Sequence, residues 1–550
     1  MYKGFWGEIP VGQMGVQTDL PSSEIPHEAL IKANSVTFTN GYVEKAPGAY
    51  SYNNNAFTGG LIACTDFWLD GITQRTLVAT ADGKIWKDYG DRTFLNNTPI
   101  LTGLGTIDNR SMFVIGGAET ASVINNPKKA FFFTNGVKQI QVVRGDNNVP
   151  SAIQLPATDW PNPTPTTNYS SYFPKFGLIH RSRLWVFMRS NAYGSNTTNH
   201  EDFQTGGSTL NITVGAGEGG DIIGAFVYKG SLLVFKQGDF LYQLIDTDTS
   251  TTNWYFKKLG DGMSMANARC NAQVIDDMLL ASAPGNVTSL KATLNYGNYS
   301  QGDVFKQQLV SQFFRTYTSP IQSAPFMQSV FYPDKGQAFF TARSGMLPNN
   351  DVMIVYDVSR DQAPKFGLWS HYQADCIGLR RDINGIPRPM YGGTNGYLYF
   401  ADWPTCAILT SSTTTGYTAE FKTPYLDFRW LDAVYNQELS EKQKQFDHLA
   451  VTFTPFGNNS LNVDVWIDGK FSETVTAAMT IDTNYLGSFT LGTSILGVEE
   501  EQTIIVPIHG TGRRISLRCY NSNAYESFRV SKLGIGFRPL SEDQTRIAAP

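Results

Sequence analysis

"LLVFKQGDFLYQLI" (Leu232–Ile245) is an apolar run, a polar residue with glycine, then a second run with apolar side chains at alternate positions. This is a hairpin pattern, because a glycine after a polar residue accepts the φ > 0 geometry of a two-residue reversal between antiparallel strands. The pattern recurs in "LVATADGKIWK" (Leu77–Lys87), "AFFFTNGVKQIQVV" (Ala130–Val143), "LLASAPGNVTSLKA" (Leu279–Ala292) and "YGGTNGYLYFAD" (Tyr391–Asp402). The turn glycines Gly83, Gly136, Gly238, Gly285 and Gly396 are 53, 102, 47 and 111 residues apart. Two intervals are close to double the others, which predicts further hairpins near residues 190 and 340. "RLWVFMRSNAYGS" (Arg183–Ser195) and "FYPDKGQAFFTAR" (Phe331–Arg343) suit those places. About seven hairpins at a period near 50 are the signature of a β-propeller whose repeats are four-stranded blades. The spacing is irregular, so six to eight blades fit, and an array of irregular sandwiches is the rival architecture.

After "SSTTTG" (Ser411–Gly416) the spacing changes to strict alternation. Leu449, Val451 and Phe453 form one set, and Leu461, Val463, Val465 and Ile467 a second. Ile515 and Leu517, then Leu533, Ile535 and Phe537, complete the series. Strands of this kind bury one face, as in a sandwich. The expected fold is therefore all-β: a β-propeller of about six to eight blades plus an antiparallel β-sandwich-like platform domain. Residues 1–60 form an N-terminal β segment packing on both, 61–416 the propeller and 417–550 the platform. "LDAVYNQELSEKQKQ" (Leu431–Gln445) reads as a short helical insertion or an exposed loop. The Pro-rich stretch between Arg144 and Phe176 cannot be a central strand and reads as a long loop on one face.

Composition agrees with strands and turns. Among 550 residues, aromatics are 13% and charged residues only 17%. Net charge is −5, which gives no general basic surface for nucleic acid. The cysteines Cys64, Cys270, Cys376, Cys406 and Cys519 are odd in number and far apart, which fits small buried hydrophobes rather than a disulfide framework or zinc site. The opening "MYKGFWGEIPVG" lacks the apolar core of a secretory signal, and no apolar run approaches the ~20 residues of a membrane helix. Synthesis and folding in a cytoplasm are expected.

The search for chemistry returns no catalytic, cofactor-binding or metal-binding residue. His27, His180, His200, His371, His448 and His509 lack metal-ligand spacing. "GAGEGGDIIG" (Gly215–Gly224) leads into a strand rather than a helix N-terminus, so it reads as a connection rather than a phosphate loop. "TADGKIW" (Thr80–Trp86) lacks the spacer of a sialidase Asp box. Asp276-Asp277 reads as a solvated turn, and "RGD" (Arg144–Asp146) as a loop turn. The basic doublets Lys128-Lys129, Lys257-Lys258, Arg380-Arg381 and Arg513-Arg514 would matter only if they converged on one channel.

"GVQTDLPSSEIPHEAL" (Gly15–Leu30) and "ANSVTFTNGYVEKAPG" (Ala33–Gly48) resemble the opening of tail nozzle (tail hub) proteins of short-tailed bacteriophages. "GDIIGAFVYKGSLLVFKQGDFLYQL" (Gly220–Leu244) resembles one of their blades, and "RISLRCYNSNAYESFRVSKLGIGFRPL" (Arg514–Leu540) their closing strands. The resemblance implies a propeller with a β-rich platform and a catalytically inert structural role without cofactors. It also implies a ring of six copies below a portal adaptor (head-tail connector), through which genomic double-stranded DNA passes. Tail fibres or spikes are the further partners, and the virion tail, assembled in the host cytoplasm, is the location. Pro150–Pro174 is the candidate contact loop. The alternative function is a carbohydrate-binding or glycan-hydrolysing propeller, such as a receptor-binding tail protein.

Overall fold

A computed structural model describes residues 4–540 except 22–23, 40, 69–72, 91, 95–97, 105–111, 118–128, 135, 137–138, 146–149, 153–172, 205–208, 276, 283–284, 291–301, 346–348, 359–364, 383–384, 456–458 and 480–500. The chain is all-β, with several antiparallel sheets and a few short helices. From Leu61 to Trp403 the strands fall into seven successive groups, each running up and down beside its predecessor. Their first strands are Leu61–Trp68, Met112–Gly117, Phe176–His180, Ile222–Tyr228, Asn271–Val274, Ser329–Tyr332 and Cys376–Arg381. Groups two to six have four strands each; the described part of the first has three. The seventh takes three strands from its own stretch and a fourth, Gly48–Ser51, from the N-terminal segment.

The glycine turns join the second and third strands of their groups at Gly83, Gly136, Gly238, Gly285 and Gly396, all with positive φ. Their loops are longer than two residues: Thr80 pairs with Lys84, Lys236 with Phe240 and Gly392 with Leu398. The hairpin expected near 190 is the Met188–Asn191 turn, in the same phase. The one expected near 340 differs, because Gly336 turns the first strand of the sixth group into the second. Alternation and a glycine mark any hairpin, and nothing in them says which hairpin of a group it is. The Thr39–Tyr42 turn, carrying Gly41, belongs to the sandwich and not to this series.

Two-residue turns between first and second strands are closed by the pairs His180–Arg183, Tyr228–Ser231 and Val274–Asp277, and of these only the Tyr228–Ser231 turn carries a glycine, Gly230. Arg181 and Ser182 both hold positive φ (50° and 56°) between His180 and Arg183. A left-handed non-glycine residue costs about 1 kcal/mol. Ser182→Gly is therefore expected to stabilise the protein by about 1 kcal/mol in a urea melt.

The sandwich pairs two sheets. One runs Val36–Thr39, Tyr42–Lys45, Arg529–Pro539, Lys444–Phe453, Gln502–Gly512, with Phe5–Pro10 also on Arg529–Pro539. The other runs Lys32–Asn34, Ala419–Lys422, Ile515–Asn521, Asn459–Ile467, Lys470–Met479. Every alternating residue singled out from the sequence after Ser411 is buried in one shared core. Lys32–Asn34 also pairs in parallel with Lys365–Trp369, the last strand of the sixth group. One continuous nine-stranded sheet therefore runs from the sixth group into the sandwich. The Leu431–Gln445 stretch opens with one helical turn, Asp432–Tyr435, and Asp432 then accepts from the Leu439 and Ser440 amides. Within the Pro-rich stretch, Ser151–Ala152 is a short edge strand of the second group, and residues 153–172 lie outside the described residues.

The segment that carries the family resemblance does structural work far along the chain. The helix Ser311–Tyr317 has unpaired amides at its start. Asp19 accepts from Ser311 N (2.9 Å) and Gln312 N (2.7 Å), and Thr18 Oγ1 from Phe313 N (2.9 Å). Asp19→Ala is expected to cost about 1–2 kcal/mol in a urea melt, the usual loss of a helix cap.

Candidate functional site

Among the described residues, polar side chains tie neighbouring groups together at their seams and tie three parts of the chain together at a junction around residues 35–48. At the seams, Arg144 of the second group makes a bidentate pair with Glu201 of the third. His180 Nε2 lies 2.7 Å from Asp246 Oδ2, joining the third group to the fourth, and Arg181 Nε donates to the same oxygen at 3.0 Å. Paired in this way, Asp246 is held below the usual carboxylate range by the hydrogen bonds of Arg181 and His180, against the opposing effect of burial, which is the largest single influence. Asn267 Nδ2 donates to the carbonyls of Ala324 and Met327, tying the fifth group to the approach to the sixth. Tyr332 OH donates to Asp402 (3.0 Å), tying the sixth to the seventh.

The seventh group meets the first. Arg380 Nε donates to Thr76 Oγ1 (2.8 Å), and Gln74 Nε2 to the Arg381 carbonyl (3.1 Å). Arg380 also lies over the Tyr52 ring, 4.7 Å from its centre.

The junction is built by the second half of the resembling segment. Lys45 is buried and donates to Asn521 Oδ1 and the Asn523 carbonyl, both at 2.8 Å. Burial pulls its amine down to about 8. His371 stacks on Tyr417 at 4.1 Å, with Nε2 3.1 Å from the Pro47 carbonyl and Nδ1 2.9 Å from Ser35 Oγ. A carbonyl can only accept, so Nε2 carries the proton and Nδ1 accepts from the serine hydroxyl. Burial lowers the imidazole to about 3, so it is neutral. The Tyr372 hydroxyl lies 2.8 Å from the carbonyls of Pro47 and Gly48. These contacts hold the seventh group, the N-terminal segment and the sandwich together.

A cleft of about 380 Å³ separates residues 24–27 from the 425–430 stretch. His27 stacks on Trp430 at 4.2 Å in its wall. Arg429 is already paired with Asp427 at 2.7 Å, and Glu24 and Arg514 also line the cleft.

The features noted in the sequence do not converge. Arg380 is spent in a seam, and Lys258, on the last strand of the fourth group, pairs with Glu218 and Asp261. Arg513 and Arg514 lie in the connection between Gln502–Gly512 of one sheet and Ile515–Asn521 of the other, with their amides on Asp468, and Lys128 lies outside the described residues. Asp276 and Asp146 also lie outside them. Arg144 of the "RGD" is committed to Glu201. Gly215–Gly224 connects the third group to the fourth and is pinned by Lys236, whose ammonium donates to the carbonyls of Val214, Gly215 and Glu218. His200 faces the Ser182 carbonyl, and His509 lies 3.6 Å from Glu473. Among the described residues no three His, Cys, Asp or Glu side chains gather at metal-binding distance, and no helix is long and apolar enough to cross a membrane. The seam and junction residues were not singled out as such in the sequence, because each depends on a partner tens to hundreds of positions away. No family model matches the chain, and no curated protein matches it either.

Proposed function

We propose that this chain is a catalytically inert structural protein of a short-tailed phage virion, the nozzle that forms a ring-shaped DNA channel below the portal adaptor. The observation that carries the reading is the succession of seven groups whose first and seventh members touch, next to a sandwich. It supports a seven-bladed propeller in which each first strand lies nearest the axis and Gly48–Ser51 completes the last blade. That is the two-part architecture the resemblance implies, and the resembling segment is the part that binds its pieces together. The charge balance supports the role as well. Each phosphate neutralised by Lys or Arg adds affinity, and a conduit must let the duplex slide. Ion pairs and hydrogen bonds across the seams stiffen the blades and leave their end loops for neighbouring copies, adaptor and fibres.

Electron microscopy of the purified protein and of the particle tests this directly. Six-fold rings at the tail are the expected result. A lone monomer that releases sugars from host surface polysaccharide would overturn it in favour of the carbohydrate-active reading.

A further inference from the structure

All five cysteines are buried and unbridged, but two of them meet. Cys64 lies on the first strand of the first group and Cys376 on the first strand of the seventh, and the two strands touch. Both side chains belong to one apolar cluster with Leu61, Val78, Met390 and Leu398, and they interact directly. Two glycines make that approach possible. A Cβ on Gly378 would stand 2.6 Å from the Cys64 carbonyl oxygen and 3.2 Å from its Sγ. A Cβ on Gly392 would stand 2.6 Å from Cys376 Sγ and 2.4 Å from the Leu61 Cβ. Cys270, Cys406 and Cys519 lie on other elements, so the pair is isolated from them.

We propose that Cys64 and Cys376 are a redox modification site: a small-molecule disulfide converts the pair to a disulfide that joins the first and seventh groups covalently. One cysteine loses its proton, and its thiolate attacks a sulfur of the small disulfide. A mixed disulfide forms and one small thiol leaves. The second cysteine, deprotonated in turn, attacks the protein sulfur of that mixed disulfide and expels the second small thiol. Two S–H bonds are lost and one S–S bond is gained. The two electrons and both protons end on the two small thiols. Burial holds the Cys376 thiol protonated, so the exchange proceeds slowly and through openings of the seam. A reducing compartment keeps the dithiol, and an oxidising medium closes it. The bond would span roughly 300 residues, the range in which a cross-link restricts the unfolded chain most. The inference rests on the contact between the two groups and not on the proposed role in a tail.

The purified full chain is incubated with a dipyridyl disulfide, alkylated, digested and mapped by mass spectrometry. The expected product is a linked Cys64–Cys376 peptide, with two pyridinethiones released per linked chain and no pyridyl group left on either residue. The melting midpoint should rise by about 5 °C or more and fall back with dithiothreitol. Cys64→Ala and Cys376→Ala, which keep the site apolar, should each abolish the linked peptide and the rise. Alkylation of both thiols after prolonged exposure, stable pyridyl adducts on both, or a linked peptide without a higher midpoint would each overturn the proposal.

Discussion

Lowering the pH from 6.5 to 3 should cost the protein about 4 kcal/mol of stability through His371 alone. Burial pulls this imidazole from its ordinary 6.5 down to about 3. Between those values the unfolded chain takes up a proton that the folded chain refuses, so stability falls as pH falls. Above pH 6.5 both states are neutral and the contribution is complete. The cause is local: His371 is buried among Trp369, Tyr372 and Tyr417 and Lys45 adds positive charge nearby, which together outweigh the hydrogen bond to the Pro47 carbonyl that favours the protonated ring. Urea melts of wild type and His371→Gln across pH 7 to 4 measure the effect. The wild type should lose stability more steeply than the variant, and parallel curves would exclude the assignment. Lys45 works in the opposite range. Its amine is pulled to about 8, so the penalty of burying its charge is present in full below pH 8 and is relieved between 8 and 10.5.

Gly48→Ala should destabilise the fold by about 3 kcal/mol or more, a cost reserved for backbone collisions that cannot relax. A Cβ at residue 48 would stand 2.1 Å from the carbonyl oxygens of both Thr405 and Ala407. Those oxygens belong to backbone that Gly48 and Ala49 hold by hydrogen bonds of 3.1 Å. Relief of the clash would require the last strand of the seventh group to leave its ladder. Gly41→Ala is the comparison: φ is +85°, but nothing lies within 4 Å, so only about 1 kcal/mol of backbone strain is expected. Equal midpoints for the two variants in urea would show that strand Gly48–Ser51 tolerates displacement.

Local periodicity was readable in the sequence because it has a local cause. Leu449, Val451 and Phe453, or Leu461 to Ile467, alternate so strictly that only a strand with one buried face fits, and those side chains are buried. The turn glycines were readable because φ > 0 demands them. Arg181-Ser182, which turns without glycine, left no trace. Pairings across the chain left none either. Phe5–Pro10 lies beside Arg529–Pro539, and Thr18-Asp19 caps a helix almost three hundred residues on. The candidate seam residues share that limit. Arg144 reads as part of a loop turn and Arg380 as half of a basic doublet, and neither pattern points to the Glu201 and Thr76 that lie opposite them.

The nine-stranded sheet makes the molecule a bracket rather than two bodies on a swivel. Torque on the far edge, at Lys470–Met479, travels through successive ladders to Ser329–Tyr332. The narrowest span is Lys32–Asn34, only three residues wide. If the bracket ever creases under load, that strip is where it gives way.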